Sequence, residues 1–230
     1  MLHPSKTAII YFARSAGEDY KRNRFSERDV HGRLIDRLSR HTLSTIRATG
    51  LTILLSNEAN QEGENLAERL AHAFSEAFAK GYQNVIAVGN DTPDLDAKTL
   101  IQAANELADG NPVLGPSLDG GNYLIGIREK DFKETAFCRA LKVPGETHAR
   151  LGSLLGKYEE LPTLIDVDDE KSLKRWLRSF SSDSKKTLFR KEIKGILAVP
   201  STGRNYTPAI NLRLSEFKIS DRAPPLRLAS

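Results

Sequence analysis

Three short apolar, β-branched runs, at residues 7–12, 51–55 and 85–88, each lead into a longer segment whose apolar residues recur at helical spacing. A strand that lacks polar alternation is one buried on both faces, and parallel strands of that kind are joined through helices. The alternation therefore predicts the α/β class: a three-layer, doubly wound domain around a mostly parallel sheet. Helices are expected over 30–48, where Leu34, Leu38 and Ile46 repeat and Gly50 caps, and over 64–80, where Leu66, Leu70, Ala73, Phe74, Ala77 and Phe78 share a face that ends at Gly81. Another follows over 96–109.

The second half departs from this pattern. Residues 112–116 and 123–127 are strand-like and flank Leu118-Asp-Gly-Gly-Asn122, a hairpin signal, so the sheet is mixed, with an antiparallel element after its midpoint. Helical patterns follow over 131–141 and 147–156. A last strand is expected at 161–165, and then a helix over 170–180 that turns Leu173, Trp176, Leu177 and Phe180 into the core. Residues 185–198 read as a helix or a strand.

Composition narrows the class further. At 230 residues the chain can bury a real core without cross-links, and its single cysteine, Cys138, allows no internal disulfide and reads as a small semi-buried apolar residue. No apolar run is long enough to span a membrane, and the N-terminus lacks a signal-peptide pattern, so a cytoplasmic location is expected. The net charge of +4 is unevenly spread: residues 181–230 hold ten Lys/Arg against four Asp/Glu, leaving 24 against 26 elsewhere. The expected organisation is a globular domain over 1–198 and a basic, poorly ordered tail over 199–230. No basic face is interleaved with aromatics, which argues against nucleic acid as a partner. His72 falls on the polar side of its helix, as a solvated histidine would.

Chemistry is suggested where strands stop. Asp91 and Asp94 follow the run at 85–88, Asp119 lies in the Asp-Gly-Gly turn, and Asp166, Asp168 and Asp169 follow the last expected strand. Each has an ordinary structural explanation: Asp91 or Asp94 can cap the next helix, Asp119 can serve the hairpin, and the third group can cap the helix at 170. Yet ligands of open α/β sheets bind outside the carboxyl ends of the strands. A parallel sheet brings Asp91 and Asp168 to one edge, and two convergent carboxylates with substrate phosphates make a typical magnesium or manganese site. Gly120 and Gly121 remove side chains where a ligand could approach the backbone. The segment 14–28 reads as a charged loop or a frayed helix on that same side, with Lys21, Arg22 and Arg24.

Gly89-Asn-Asp-Thr-Pro-Asp-Leu95, Leu114-Gly-Pro-Ser-Leu-Asp-Gly-Gly-Asn-Tyr-Leu-Ile-Gly126 and Asp166-Val-Asp168 together resemble a bacterial GT-A-type glycosyltransferase-like domain of unknown function. Its relatives include nucleotidylyltransferases of molybdenum-cofactor and sugar-nucleotide synthesis, and the resemblance runs over roughly residues 7–180. It implies a nucleotide-diphospho-sugar transferase (GT-A-like) fold, a nucleotide sugar or nucleoside triphosphate ligand with an unknown acceptor, and Mg2+ or Mn2+ held by Asp91 and Asp168. Asp119, with Gly120 and Gly121, would lie on the sugar or acceptor side, with Asp119 as candidate base. The wider family carries a glycine- and proline-containing loop with a Lys-Thr-Arg-like segment after its first strand. Here Phe12-Ala-Arg-Ser-Ala-Gly-Glu-Asp-Tyr-Lys21 stands in its place, which leaves Arg14, Lys21 and Arg22 to meet phosphate. The expected activity is glycosyl transfer. The alternatives are nucleotidyl transfer with release of pyrophosphate, or a non-catalytic binding protein that keeps the fold.

Overall fold

The computed structural model of the chain describes residues 6–14 and 28–200. Among them are strands β1 Thr7–Phe12, β2 Thr52–Ser56, β3 Asn84–Val88, β4 Val113–Pro116, β5 Asn122–Arg128 and β6 Glu159–Glu160. The helices are α1 Arg28–Arg47, α2 Leu66–Ala79, α3 Ala97–Asp109, α4 Glu134–Leu141, α5 Thr147–Leu155, α6 Glu170–Arg178 and α7 Ser184–Ala198. The strands form one sheet in the order β2-β1-β3-β5-β4-β6. β1 pairs in parallel with β2 and β3, and β4 with β6, whereas β5 runs antiparallel to both of its neighbours. This is the expected mostly parallel mixed sheet.

Side-chain alternation along β1 sorts the core. Ala8 and Ile10 pack with Phe74 and Phe78 of α2, Phe137 of α4 and Leu151 of α5. Ile9 and Tyr11 point to the opposite face, with Leu43 and Ile46 of α1 and Leu100, Ala104 and Leu107 of α3. The two clusters make the three layers. A third cluster joins Leu34 and Leu38 of α1 to Leu173 and Trp176 of α6 and Phe189 and Ile193 of α7.

Local chemistry sets the helix ends. Asn65 caps α2 by accepting from Glu68 N at 3.1 Å. Asp96 caps α3, accepting from Thr99 N at 2.8 Å, and Gly110 closes it in the left-handed conformation. The cap of α3 is thus neither Asp91 nor Asp94. Asp169 begins α6 in a reciprocal capping box with Ser172, and this N–H donation holds the Asp169 carboxyl below its usual range.

Four expectations need correction. The last strand is Glu159–Glu160 rather than 161–165; beyond it the chain still follows β4, through Leu161 N to Leu114 O and Leu164 N to Pro116 O, but Pro162 has no N–H to continue a regular ladder. Phe180 is 93% exposed, because α6 stops at Arg178, and Ser179, in extended backbone, turns its hydroxyl back to Trp176 O. Leu66, on the apolar stripe of α2, is 67% exposed in the first turn. His72 is not simply solvated: Nε2 lies 3.5 Å from a Glu62 carboxylate oxygen. Cys138 is half-buried as expected. No helix among the described residues is long and apolar enough to cross a membrane. The segment assigned to a basic tail, from residue 201 onward, lies outside the described residues.

The turn joining β4 to β5 depends on one glycine. Gly120 has φ +86°, and a β-carbon there would stand 2.1 Å from Gly145 O. Gly120→Ala is expected to cost at least about 2 kcal/mol, since the left-handed backbone alone costs a side-chain-bearing residue roughly 1–2. Thermal unfolding should show a melting temperature lower by about 2–4 °C for each kcal/mol lost.

Candidate functional site

β2 lies on one side of β1 and β3 on the other, so the chain reverses its winding direction between β1 and β3. A crevice opens at such a point, outside the carboxyl ends of the strands. Here it is a cavity of about 380 Å3, within the size range of small-molecule sites. Arg14, just past β1, and Asn90 and Asp91, just past β3, line it. So do Asn122 at the start of β5, Asp166 and Asp168, and Arg69 and Leu66 of α2.

The carboxylates meet because two segments are joined through their backbones. Val167 N–H donates to Asp91 C=O at 2.7 Å. The Thr92 hydroxyl, 2% exposed, donates to Asp166 Oδ1, which fastens the same two segments a second time. Every residue from Asp91 to Asp96 is engaged. Leu95 N bonds Thr92 O, His41 Nε2 lies 3.1 Å from Pro93 O, Arg190 grips the Asp94 carboxylate, and Asp96 caps α3. A loop constrained at each position is pre-organised, and binding does not have to order it first.

Electrostatics mark the same place. Burial pushes the Asp166 carboxyl up to about 6, and the nearby charges of Asp168 and Asp119 act in the same direction, against hydrogen bonds from Thr92 and Ser117. The Tyr11 phenol is also raised, mainly by burial and then by the charges of Asp91 and Asp36. A buried carboxyl held above its usual range in a cleft, with charged neighbours, marks a candidate site.

Of the residues singled out from the sequence, Arg14, Asp91 and Asp168 line this cavity. Asp119, Gly120 and Gly121 are not among its lining residues. Asp119 is exposed and bound into its own turn, accepting from Ser117 Oγ at 2.6 Å and Gly121 N at 2.9 Å. Gly120 permits the turn's close approach to the loop at Gly145, and Gly121 leaves room within the turn for the Ser117 hydroxyl and the Asp119 carboxylate. Lys21, Arg22 and Arg24 lie outside the described residues. In the sequence Asp166 reads only as one of an acidic cluster, although its place two residues before Asp168 and directly after Leu164-Ile165 is a usable signal. Thr92, Asn122 and Arg69 were not singled out, because nothing in their local pattern distinguishes them from turn and surface residues.

Residues 44–140 match the profile of a family described as "Uncharacterized protein conserved in bacteria (DUF2064)". The matched stretch carries Asp91 and the Asp119-Gly-Gly turn, while Asp166 and Asp168 lie beyond it. Among solved structures, a candidate nucleotide-diphospho-sugar transferase from Desulfovibrio desulfuricans superposes with a TM-score of 0.71 at 22% identity, covering 84% of this chain and 96% of that one. The fold is therefore that of the nucleotide-diphospho-sugar transferases. Looser superpositions include a cytidylyltransferase from Leptospira borgpetersenii (TM-score 0.44, 10% identity, 88% of this chain and 99% of that one). Another is Rv0371c from Mycobacterium tuberculosis (TM-score 0.43, 16% identity, 75% and 100%). No curated protein matches the chain.

The upward shift at Asp166 predicts a pH effect with a definite sign. The folded protein holds this proton to about pH 6, whereas the unfolded chain releases it near 3.8. The native state thus binds more protons between these values, and the contribution of Asp166 to stability falls as pH rises through that window. In EDTA-treated protein, the difference in melting temperature between Asp166→Asn and wild type should move in favour of the variant from pH 4 to pH 6.5. A difference independent of pH would refute the shift.

Proposed function

We propose that this chain is a metal-dependent transferase acting on a nucleotide diphosphate sugar, with Asp91 and Asp168 as the carboxylates that hold Mg2+ or Mn2+. One observation carries the reading: Asp91 and Asp168, from segments far apart in sequence, line a single cavity together with Asp166 and Arg14. The donor set suits the ion, since carboxylate oxygens are the ligands hard divalent cations take. The upward shift of Asp166 comes first from burial and then from the charges of Asp168 and Asp119, and a cation beside them would favour the charged carboxylate. Among the described residues no group of three or more His, Cys, Asp or Glu side chains could hold an ion by itself.

When bound, the ion would supply Lewis-acid neutralisation of the departing diphosphate. The chain's own groups do the rest. The guanidinium of Arg14 contacts phosphate, with Lys21 of the charged loop assigned the same task on its sequence position. Asn122 and Asn90 offer neutral hydrogen-bonding groups to the ligand. Asp119 and the two glycines after it lie toward the acceptor, near enough for the Asp119 charge to act on Asp166. A single cysteine fits a reducing, cytoplasmic setting.

Thermal-shift titration of the full chain with UDP-, GDP- and CDP-sugars and with nucleoside triphosphates, with and without Mn2+, tests the proposal. A nucleotide sugar should stabilise the protein by about 2–3 kcal/mol at roughly 100-fold excess over its dissociation constant, and only with the metal. Asp91→Asn and Asp168→Asn should each remove the metal-dependent part, and Arg14→Gln should weaken binding without removing it. A response to triphosphates with release of pyrophosphate would replace glycosyl transfer by nucleotidyl transfer, and no response to any nucleotide would refute both.

A further inference from the structure

The C-terminal helix α7 lies outside the family-matched stretch, yet it reaches the loop that carries Asp91. Arg190 is 7% exposed. Its Nη2 lies 3.1 and 2.8 Å from the two Asp94 carboxylate oxygens and 2.9 Å from Ser179 Oγ, and its Nε donates to Trp176 O at 3.2 Å. The guanidinium also sits over the Trp176 ring, 5.0 Å from its centroid. Phe189, the residue before it, stacks on His41 with ring centroids 4.0 Å apart, and His41 Nε2 in turn faces Pro93 O. Two consecutive residues of α7 therefore hold two consecutive residues of the 91–96 loop, one by a charge pair and one through a stacked histidine.

A buried guanidinium is a costly way to dock a helix. Apolar residues of similar volume often pack at least as stably, whereas removing one partner of a buried pair strands the other's charge. In Arg190, moreover, Nη1 is buried with no hydrogen-bond partner among the described residues. What the arginine supplies that an apolar side chain cannot is direction: it draws Asp94 away from the cavity and fixes the loop three residues after Asp91.

We propose that Arg190 is a positioning residue, through which α7 sets the placement of the Asp91 carboxylate by way of Asp94 and the 91–96 loop. This rests on the reading of Asp91 as a metal-binding carboxylate. Groups that orient ligand-bearing segments typically alter metal affinity 10–100-fold when removed.

The test uses the full chain as Arg190→Lys and Asp94→Asn, with Ile193→Ala as a control. Ile193 is fully buried on the same helix, in the cluster around Trp176. Two readouts are taken: Mn2+ affinity by titration, and hydrogen exchange of the Leu95 and Val167 amides, which bond Thr92 O and Asp91 O. Arg190→Lys and Asp94→Asn should each weaken Mn2+ binding by roughly tenfold or more and speed exchange at both amides. Ile193→Ala should lower the melting temperature and leave both readouts in place. Equal changes in Ile193→Ala, unchanged exchange in the two loop variants, or faster exchange with unchanged Mn2+ affinity would each overturn the proposal. Wild-type protein that binds no Mn2+, while its loop exchange still responds to Arg190, would refute the metal reading and uphold the mechanical coupling.

Discussion

The backbone hydrogen bond from Val167 N–H to Asp91 C=O is the join on which the rest of the site depends. It ties the end of β3 to the segment that precedes α6, and so brings together carboxylates that the chain keeps far apart. The bond is an ordinary one, but its consequence is electrostatic. Three aspartates share one rim, and burial pushes one of them, Asp166, toward its neutral form. A protein tolerates such crowding where something else can offset it. Here the Thr92 and Ser117 hydroxyls offset part of the shift, against burial and the charges of Asp168 and Asp119.

Around this join the chain is built to resist adjustment. β1 and β3 are buried on both faces, each clamped between two helical layers. The loop that leaves β3 is held at every residue from 91 to 96, by partners drawn from α1, α3, α7 and the 166–167 segment. Such a scaffold spends its stability on geometry. Displacing Asp91 means breaking several contacts at once.

Much of the fold was legible because it rests on local rules. Continuous apolar runs located β1 and β3, helical repeats located α1 to α5, and turn residues located the hairpin at Asp119, while the glycines at 110 and 120 sit where a left-handed residue is needed. The failures share a cause. Phe180 continued the helical repeat of α6, but Ser179 ended the helix first. Leu66 continued that of α2, but lay in the first turn and faced solvent. The strand expected at 161–165 was apolar enough, but Pro162 could not donate to the ladder. In each case apolar content predicted burial and a single backbone feature decided otherwise.

The sequence alone determined the α/β class, the positions of the acidic strand ends, and a strand-one loop unlike that of the family it resembles, since composition, periodicity and motif spacing are properties of neighbouring residues. Only the tertiary structure decided which acids share a site. Asp94 and Asp96 look equivalent to Asp91 in the chain, yet Asp94 is taken by Arg190 and Asp96 by the first turn of α3, while Asp91 lines the cavity with Asp166 and Asp168. Asp119, as prominent in the sequence as any of them, accepts from its own turn. The physical reason is that each carboxylate is satisfied by whatever donor comes within hydrogen-bonding reach. Which donors do so is settled by the winding order of the strands and the return of a helix from the far end of the chain.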